Sequence, residues 1–272
     1  MSSDKAASRH PGRLLIVHAP TFFSSVLPRE GAMEFVRVEE PNVTKPIMIA
    51  AMQDMGNLGS IPIDFINKTL QTRCFRYVLA PYPNYVEDRG GHIDFQQERW
   101  EYRSSCEVIV FGGGVGQPQT NHELYELCQD VIDFAKSYSV QLIYTLGAFH
   151  TDRKYGKSPR TLFTSTSQEM TGQIARLGLK PTPCQSRITG FNGMILGYAK
   201  KCNLQGIGLF AEIDDPHVPQ YRSAKSVLVS LEKLTYQKFK GLDELEEIAG
   251  AIDNEIDRMK GDPLLPALII SA

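Results

Sequence analysis

Residues 206–234 read GIGLFAEIDDPHVPQYRSAKSVLVSLEKL and place a short apolar run shortly before a patterned helix. The run at 206–213 is rich in β-forming residues and apolar on both faces, which is typical of a central parallel strand covered on both sides. After two prolines, apolar side chains recur at helical spacing and predict a helix over residues 221–234. A buried strand followed by an amphipathic helix is the repeating unit of α/β proteins.

The same alternation extends over most of the chain. We predict further strands at residues 46–52, 74–80, 107–113 and 140–148, and further helices at 60–70, 121–137, 167–177 and 245–259. Two Thr-x-x-Glu pairs, Thr120 with Glu123 and Thr166 with Glu169, have the spacing of a capping box and predict two helix starts. The pattern therefore predicts an α/β protein, a three-layer α/β/α sandwich with a largely parallel central sheet.

Two segments depart from this alternation. Residues 31–44 are predicted to be extended, and residues 91–103, GHIDFQQERWEYR, are predicted to form a polar hairpin or an excursion at the sheet edge. We predict that residues 13–260, including these two segments, form one domain. We predict a disordered N-terminal tail at 1–12 and an apolar C-terminal tail at 261–272.

The composition is that of a globular protein and argues against several classes of function. Of 272 residues 42% are hydrophobic, and 29 Lys and Arg nearly balance 31 Asp and Glu, so charge does not favour binding to nucleic acid. No apolar stretch approaches the ~20 residues that span a bilayer, so we expect no membrane partner. The five cysteines form no C-x-x-C pair, which disfavours a disulfide framework or zinc site and favours a cytoplasmic location.

Two glycine-rich turns follow predicted strands and could expose backbone amides to a ligand or a neighbouring chain. The first contains Gly56 and Gly59, and the second contains Gly112, Gly113 and Gly114. The second turn lacks the third small residue of the dinucleotide fingerprint, and no Lys-Ser/Thr pair of a phosphate loop follows. A tight turn between strand and helix is the alternative interpretation, because glycine commonly has that role.

A basic loop follows the strand predicted at residues 140–148. It contains His150 and Arg153 among several charged residues between 150 and 160. In open α/β sheets ligands lie at the ends of such strands, so the loop could bind an anion. A solvated basic loop is the alternative interpretation, because loops are polar by default.

The end of the strand at 206–213 and the segment that follows it contain Glu212, Asp214, Asp215 and His217, ahead of Tyr221. These side chains could bind a metal or act as an acid–base set, but their spacing matches no established ligand signature. Carboxylates ahead of a helix could instead cap its amides and meet the positive end of its dipole. Without a G-x-S-x-G elbow or a recognisable Ser-His-Asp or Cys-His set, the sequence predicts no catalytic residues, no metal and no cofactor.

Five motifs, taken in order, resemble the proteasome assembly chaperone 2 family in its prokaryotic branch. They are GNLGSIPIDFI (56–66), VIVFGGGVGQP (108–118), YTLGAFHTDR (144–153), ITGFNGMILGYA (188–199) and LFAEIDDPHVPQYRSAKSVLVSLEKL (209–234). The resemblance implies an α/β/α domain similar to the phosphorylase/hydrolase-like fold, homo-oligomerisation, a role in proteasome assembly and no established catalytic residues. Several members that bind the proteasome end in a hydrophobic residue, a tyrosine and any final residue, whereas this chain ends in Ile270, Ser271 and Ala272 and lacks the tyrosine.

Two functions follow from these observations. The first is a non-catalytic, oligomeric chaperone or adaptor that acts through protein–protein contacts, with proteasome core subunits as the implied partner. The alternative is a small-molecule binder or enzyme for a nucleoside-like or nucleotide-like ligand, with its site built from the glycine-rich turns and the basic loop. The second rests partly on fold analogy, and a fold by itself does not specify a function.

Overall fold

The computed structural model describes residues 32–81, 86–95, 97–113, 116–151, 158–183 and 185–260. The elements in chain order are β1 Glu34–Arg37, β2 Ile47–Ala50, α1 Ser60–Leu70, β3 Arg73–Leu79, β4 Glu87–Asp88, β5 Ile93–Asp94, β6 Arg99–Ser105, β7 Val108–Gly112, α2 Asn121–Ser137, β8 Leu142–His150, β9 Thr161–Ser165, α3 Gln168–Arg176, β10 Lys180–Pro181, α4 Gly190–Lys201, β11 Gly206–Ile213, α5 Tyr221–Thr235 and α6 Asp243–Lys260. No helix within these ranges is long and apolar enough to cross a membrane. The tails predicted at 1–12 and 261–272 lie outside the described residues.

Within the described residues, nine strands form one sheet in the order β1-β3-β6-β7-β2-β8-β11-β9-β10. The central strands β7, β2, β8 and β11 are parallel, as predicted. β1, β3 and β6 form an antiparallel flank on β7, and β9 runs antiparallel to β11 at the other side. The predicted α/β fold is confirmed. The prediction of a central parallel strand at 74–80 is wrong, because β3 lies in the antiparallel flank and a short apolar run does not specify strand direction.

Helices cover both faces of the sheet and create two hydrophobic cores. Ile49 and Val110 enter the core formed with α1, α3, α5 and α6, in which Leu228 is fully buried. Met48 and Ile109, their neighbours in sequence, enter the opposite core, formed with α2 and α4. Since successive side chains of a central strand enter different cores, both sets must be apolar, which explains the continuous apolar runs.

The helix starts confirm one capping prediction and contradict the other. The hydroxyl of Thr120 accepts the Glu123 amide at 3.2 Å, and the Glu123 carboxylate accepts the Thr120 amide at 3.0 Å, which is a capping box at the start of α2. At α3 the N-cap is Ser167, so the box predicted from Thr166 is wrong. The Thr166 hydroxyl instead accepts a hydrogen bond from the Gly206 amide of β11 at 3.0 Å. This tertiary contact occupies the hydroxyl that a capping box would use.

The segment at residues 91–103 contains parts of two different elements. β4 and β5 pair only with each other among the described strands and form a separate two-stranded ribbon, so a hairpin exists, but it spans 87–94 and not the predicted range 91–103. β6 instead enters the main sheet between β3 and β7, and its Trp100 and Tyr102 side chains are buried. The sequence interpretation missed this strand, although the alternation of charged and aromatic residues from 99 to 102 is its signal. It also missed β9, β10 and α4.

Candidate functional site

The four parallel strands end at one edge of the sheet, and the candidate loops predicted from the sequence follow these strands. Residues 51–59 follow β2, residues 116–120 follow β7, and residues 214–220 follow β11. These three described segments are termed the carboxyl edge. Ligands of open α/β sheets bind at such an edge, so the carboxyl edge is the candidate site.

The centre of the carboxyl edge is the largely buried carboxylate of Asp54. Its Oδ1 accepts the Gly59 amide at 2.7 Å, and its Oδ2 accepts the Ala148 amide of β8 at 2.8 Å. The Nδ2 of Asn192 lies 3.4 Å from Oδ2. Burial raises the pKa of Asp54 to about 6, and these hydrogen bonds only partly oppose the shift. Such an acid could transfer a proton or contact a ligand, or it could simply anchor the loop.

Asn192 and Gln117 hold the first turn of α4 against the loop that follows β2. The buried Asn192 side chain accepts the Met52 amide at 2.9 Å and donates to the Met52 carbonyl at 3.0 Å. Gln117 donates to the Gln53 carbonyl at 3.1 Å and accepts the Phe191 amide at 2.8 Å. Both side-chain amides thus satisfy backbone groups, which a buried loop requires.

Glycines allow the close approach of these backbones. A Cβ at position 59 would lie 1.7 Å from the Met52 carbonyl oxygen, and one at Gly112 would lie 2.3 Å from that of Ala51. Gly56 adopts a φ of +63°, donates to the Pro216 carbonyl at 2.8 Å and accepts the Gln220 amide at 2.8 Å. At Gly56, Gly59 and Gly112, space and backbone conformation account for glycine without any ligand.

Asp214, Asp215 and His217 lie in an exposed turn after β11. The Asp215 carboxylate accepts the His217 amide at 2.8 Å, two residues along the chain. α5 begins four residues later, and its N-cap is Gln220, whose side chain makes no capping hydrogen bond. The helix-capping interpretation of the two aspartates is therefore wrong, because the prolines at 216 and 219 extend the connection beyond their reach. Tyr221 opens α5 and packs partly against the core.

Glu212 is separated from the residues that follow it. Its side chain is almost completely buried and forms an ion pair with Arg160, whose Nε donates at 2.9 Å and whose backbone amide donates at 3.2 Å. The Ser223 hydroxyl donates to the Glu212 carbonyl at 2.6 Å and ties α5 to β11. Since Glu212 is buried while Asp214, Asp215 and His217 face solvent, the four residues do not converge as an acid–base set.

The remaining predicted site residues are His150, Gly113, Gly114 and Arg153, and the structure describes the first two. His150 is exposed at the end of β8, and Gly113 directly follows β7. Gly114 and Arg153 lie outside the described residues. Within the described ranges, no group of three His, Cys, Asp or Glu side chains could hold a metal ion.

The sequence interpretation missed the three side chains that connect the carboxyl edge, namely Asp54, Gln117 and Asn192. Asp54 offered one signal, because it directly follows a predicted strand within a turn that was interpreted for its glycines alone. Asn192 lies 138 residues from Asp54, and no local spacing relates them.

The model of the PAC2 family matches residues 48–260, which is most of the chain and includes the whole carboxyl edge. The chain belongs to the PAC2 family. A curated relative is the uncharacterised protein MJ1210 of Methanocaldococcus jannaschii, which is 23% identical over 224 residues, covering 79% of this chain and 83% of the relative.

Solved structures similar to this PAC2 protein have the same fold. PbaB of Pyrococcus furiosus, described as an archaeal proteasome activator, aligns with a TM-score of 0.73 and 20% identity over 85% of this chain and 99% of its own. PbaA of the same organism, described as an archaeal homolog of proteasome-assembly chaperone, aligns with a TM-score of 0.69 and 20% identity over 83% and 91%. The proteasome-assembly chaperone homologue Rv2125 of Mycobacterium tuberculosis aligns with a TM-score of 0.63 and 16% identity. The alignment covers 82% of this chain and 100% of Rv2125.

Proposed function

We propose that this PAC2 protein is a non-catalytic, homo-oligomeric chaperone or adaptor of the proteasome-assembly type. The observation that carries the proposal is the family match over residues 48–260. The descriptions of PbaB as an archaeal proteasome activator and of PbaA as an archaeal homolog of proteasome-assembly chaperone support a proteasome-related partner, for which we propose the core subunits. Cytoplasmic location is part of the proposal, and the four described cysteines are free thiols, as a reducing compartment requires.

The carboxyl edge supports protein contact as the mode of action. Its polar side chains Asp54, Gln117 and Asn192 bond to backbone, while Asp214, Asp215 and His217 face solvent. A rigid scaffold that presents exposed charged side chains suits recognition of a protein surface.

Binding to the proteasome core particle tests the proposal directly. The full-length protein should co-migrate with assembled core particles or with their subunits in size-exclusion chromatography and native gels. Reversing the charges at Asp214 and Asp215 to lysine should weaken this association, whereas Glu247→Lys, an exposed reversal on α6, should not. Absence of association with either free subunits or assembled particles would contradict the proposal.

Asp54 favours a second candidate function, the binding of a small ligand. Its raised pKa and its position at the carboxyl ends of parallel strands are features of ligand sites in α/β proteins. Nucleosides, nucleotides and inorganic phosphate should then raise the melting temperature of the wild type in a dose-dependent manner, and Asp54→Asn should abolish the rise. A flat response of the wild type to all three classes would count against this function.

A further inference from the structure

Two turns of the carboxyl edge pack against each other, one largely buried and one exposed. We term residues 54–59 the inner turn and residues 214–220 the outer turn. Asp54 begins the inner turn, and Asp214, Asp215 and His217 are exposed on the outer turn. The two turns lie far apart in the sequence, so every link between them is made by the fold.

Backbone hydrogen bonds join the inner turn to the outer turn through Gly56. The Gly56 amide donates to the Pro216 carbonyl at 2.8 Å, and the Gly56 carbonyl accepts the Gln220 amide at 2.8 Å. Gly56 is buried, and a Cβ at its position would lie 2.4 Å from Gln220 Cγ and 3.3 Å from the Val218 carbonyl oxygen. Gly56 therefore packs into the outer turn, and a displacement of the inner turn must displace the outer turn with it.

Hydrogen bonds within the outer turn extend this link to the exposed side chains. The Gln220 side chain donates from Nε2 to the Asp215 carbonyl at 3.0 Å. The Asp215 carboxylate accepts the His217 amide at 2.8 Å. The backbone that carries Asp215 and His217 is thus held by Gln220, which is itself bonded to Gly56.

Asp54 fixes the inner turn at both of its ends and ties it to the sheet. Its Oδ1 accepts the amide of Gly59, the last residue of the inner turn, at 2.7 Å, and its Oδ2 accepts the Ala148 amide of β8 at 2.8 Å. Both partners are donors, so the position needs a side chain with two acceptor atoms. An ionised carboxylate meets this need, whereas the amide of asparagine offers one acceptor and one donor.

The carboxylate at position 54 is held where its charge is unfavourable. Burial raises the pKa of Asp54 to about 6, because the folded environment disfavours the ionised form. The contacts that the ionised form makes are those that hold the inner turn. A role in presenting the outer turn explains why an acid that is costly to ionise occupies this place.

We propose that Asp54 is the positioning residue of the outer turn. Acting through Gly56 and Gln220, its carboxylate holds the exposed acidic side chains in the arrangement that the partner recognises. Since Asp214 and Asp215 supply negative charge, the surface that fits the outer turn is basic. The inference rests on the proposed function for the identity of the partner, whereas the link between the two turns can be tested without a partner.

Hydrogen exchange of the full-length protein tests the link between the turns. The Gly56 and Gln220 amides should be protected in the wild type, because each donates to a carbonyl of the other turn. In Asp54→Asn their exchange should rise by about tenfold or more relative to the amides of β11, since one of two buried donors loses its acceptor. Asp64→Asn changes an exposed carboxylate on α1 and should leave both amides protected.

Gly56→Ala interrupts the same link at its middle. The added Cβ would overlap the Gln220 side chain, and the φ of +63° at this position strains alanine. The Gln220 amide should then exchange faster, while the Gly59 amide stays protected by Asp54. Unprotected Gly56 and Gln220 amides in the wild type, or wild-type exchange in Asp54→Asn, would overturn the proposal.

Binding to the proteasome core particle tests whether this positioning serves recognition. Asp54→Asn should weaken binding by about threefold or more, although the exposed carboxylates are intact. In a background that carries Asp214→Asn and Asp215→Asn, the same substitution should cause no further loss, because a positioning residue acts only through the groups it positions. An equal loss in both backgrounds overturns the positioning role.

The two experiments keep this inference separable from the proposed function. A wild type that binds no core particle, with exchange as expected, overturns the proposed function and supports the link between the turns. A wild type that binds core particles, with unchanged exchange in Asp54→Asn, overturns the link and leaves the proposed function supported.

Discussion

The Asp54→Asn substitution removes the ionisable group at the centre of the carboxyl edge while keeping the size of the side chain. Burial raises the pKa of Asp54 from its ordinary value of 3.8 to about 6 in the folded protein. The stability that the protonated form contributes is therefore fully present below pH 3.8 and is lost as the pH rises through about 6. At neutral pH the wild type carries a free-energy penalty that the asparagine variant lacks.

The size of this penalty follows from the two pKa values. Asp54 loses its proton more readily in the unfolded state than in the folded state. Relative to a protein in which Asp54 stays protonated, this lowers the free energy of unfolding by about 3 kcal/mol at about pH 7.5 and by about 1 kcal/mol at about pH 4.5. The substitution itself costs about 1–3 kcal/mol at any pH, because the new NH₂ group faces the Gly59 or Ala148 amide, which is also a donor. The stability of the variant relative to wild type should thus rise by about 2 kcal/mol between these pH values.

Urea unfolding at several pH values measures the difference. Trp100 is the single tryptophan and is buried, so its fluorescence reports loss of the core. Asp214→Asn replaces an exposed carboxylate at the same edge and serves as the matched control for the change of Asp to Asn. A relative stability of Asp54→Asn that stays constant or falls as the pH rises would refute the assignment of Asp54 as a buried acid with a raised pKa.

Three further substitutions test the packing that builds the carboxyl edge and its support. Asn192→Ala should lower the unfolding free energy by about 2–4 kcal/mol in urea, because both polar groups of Met52 lose their buried partner; a loss near zero would contradict this. Gly59→Ala should lower the unfolding free energy by about 3 kcal/mol in thermal melts, or lower the yield of folded protein, because its Cβ would overlap a backbone oxygen. The control Gly172→Ala lies in an open position of α3 and should stabilise the protein slightly in the same measurement. Asp130→Ala should lower the unfolding free energy by about 3–5 kcal/mol in urea, because it leaves the half-buried Arg76 guanidinium without its bidentate partner. A loss as small as that of an exposed ion pair would contradict the burial of this pair.

The sequence by itself determined the parallel centre of the sheet and most helices. The central strands must be apolar on both faces because two cores receive their alternate side chains, and that requirement is visible as continuous apolar runs. The helices at 60–70, 121–137 and 221–235 are visible because their stripes and, for α2, the capping box are local.

Only the tertiary structure decided strand direction in the flank and the identity of the buried polar residues. β3 and β6 pair antiparallel through partners that no local pattern specifies. Asp54 reaches the Ala148 amide 94 residues away, and Asn192 reaches Met52 across 140 residues. Periodicity reports burial and local conformation, whereas the partner of a buried carboxylate or amide depends on which chain segments the sheet order brings together. For that reason the glycines of the turn after β2 were visible in the sequence, and the acid they surround was not.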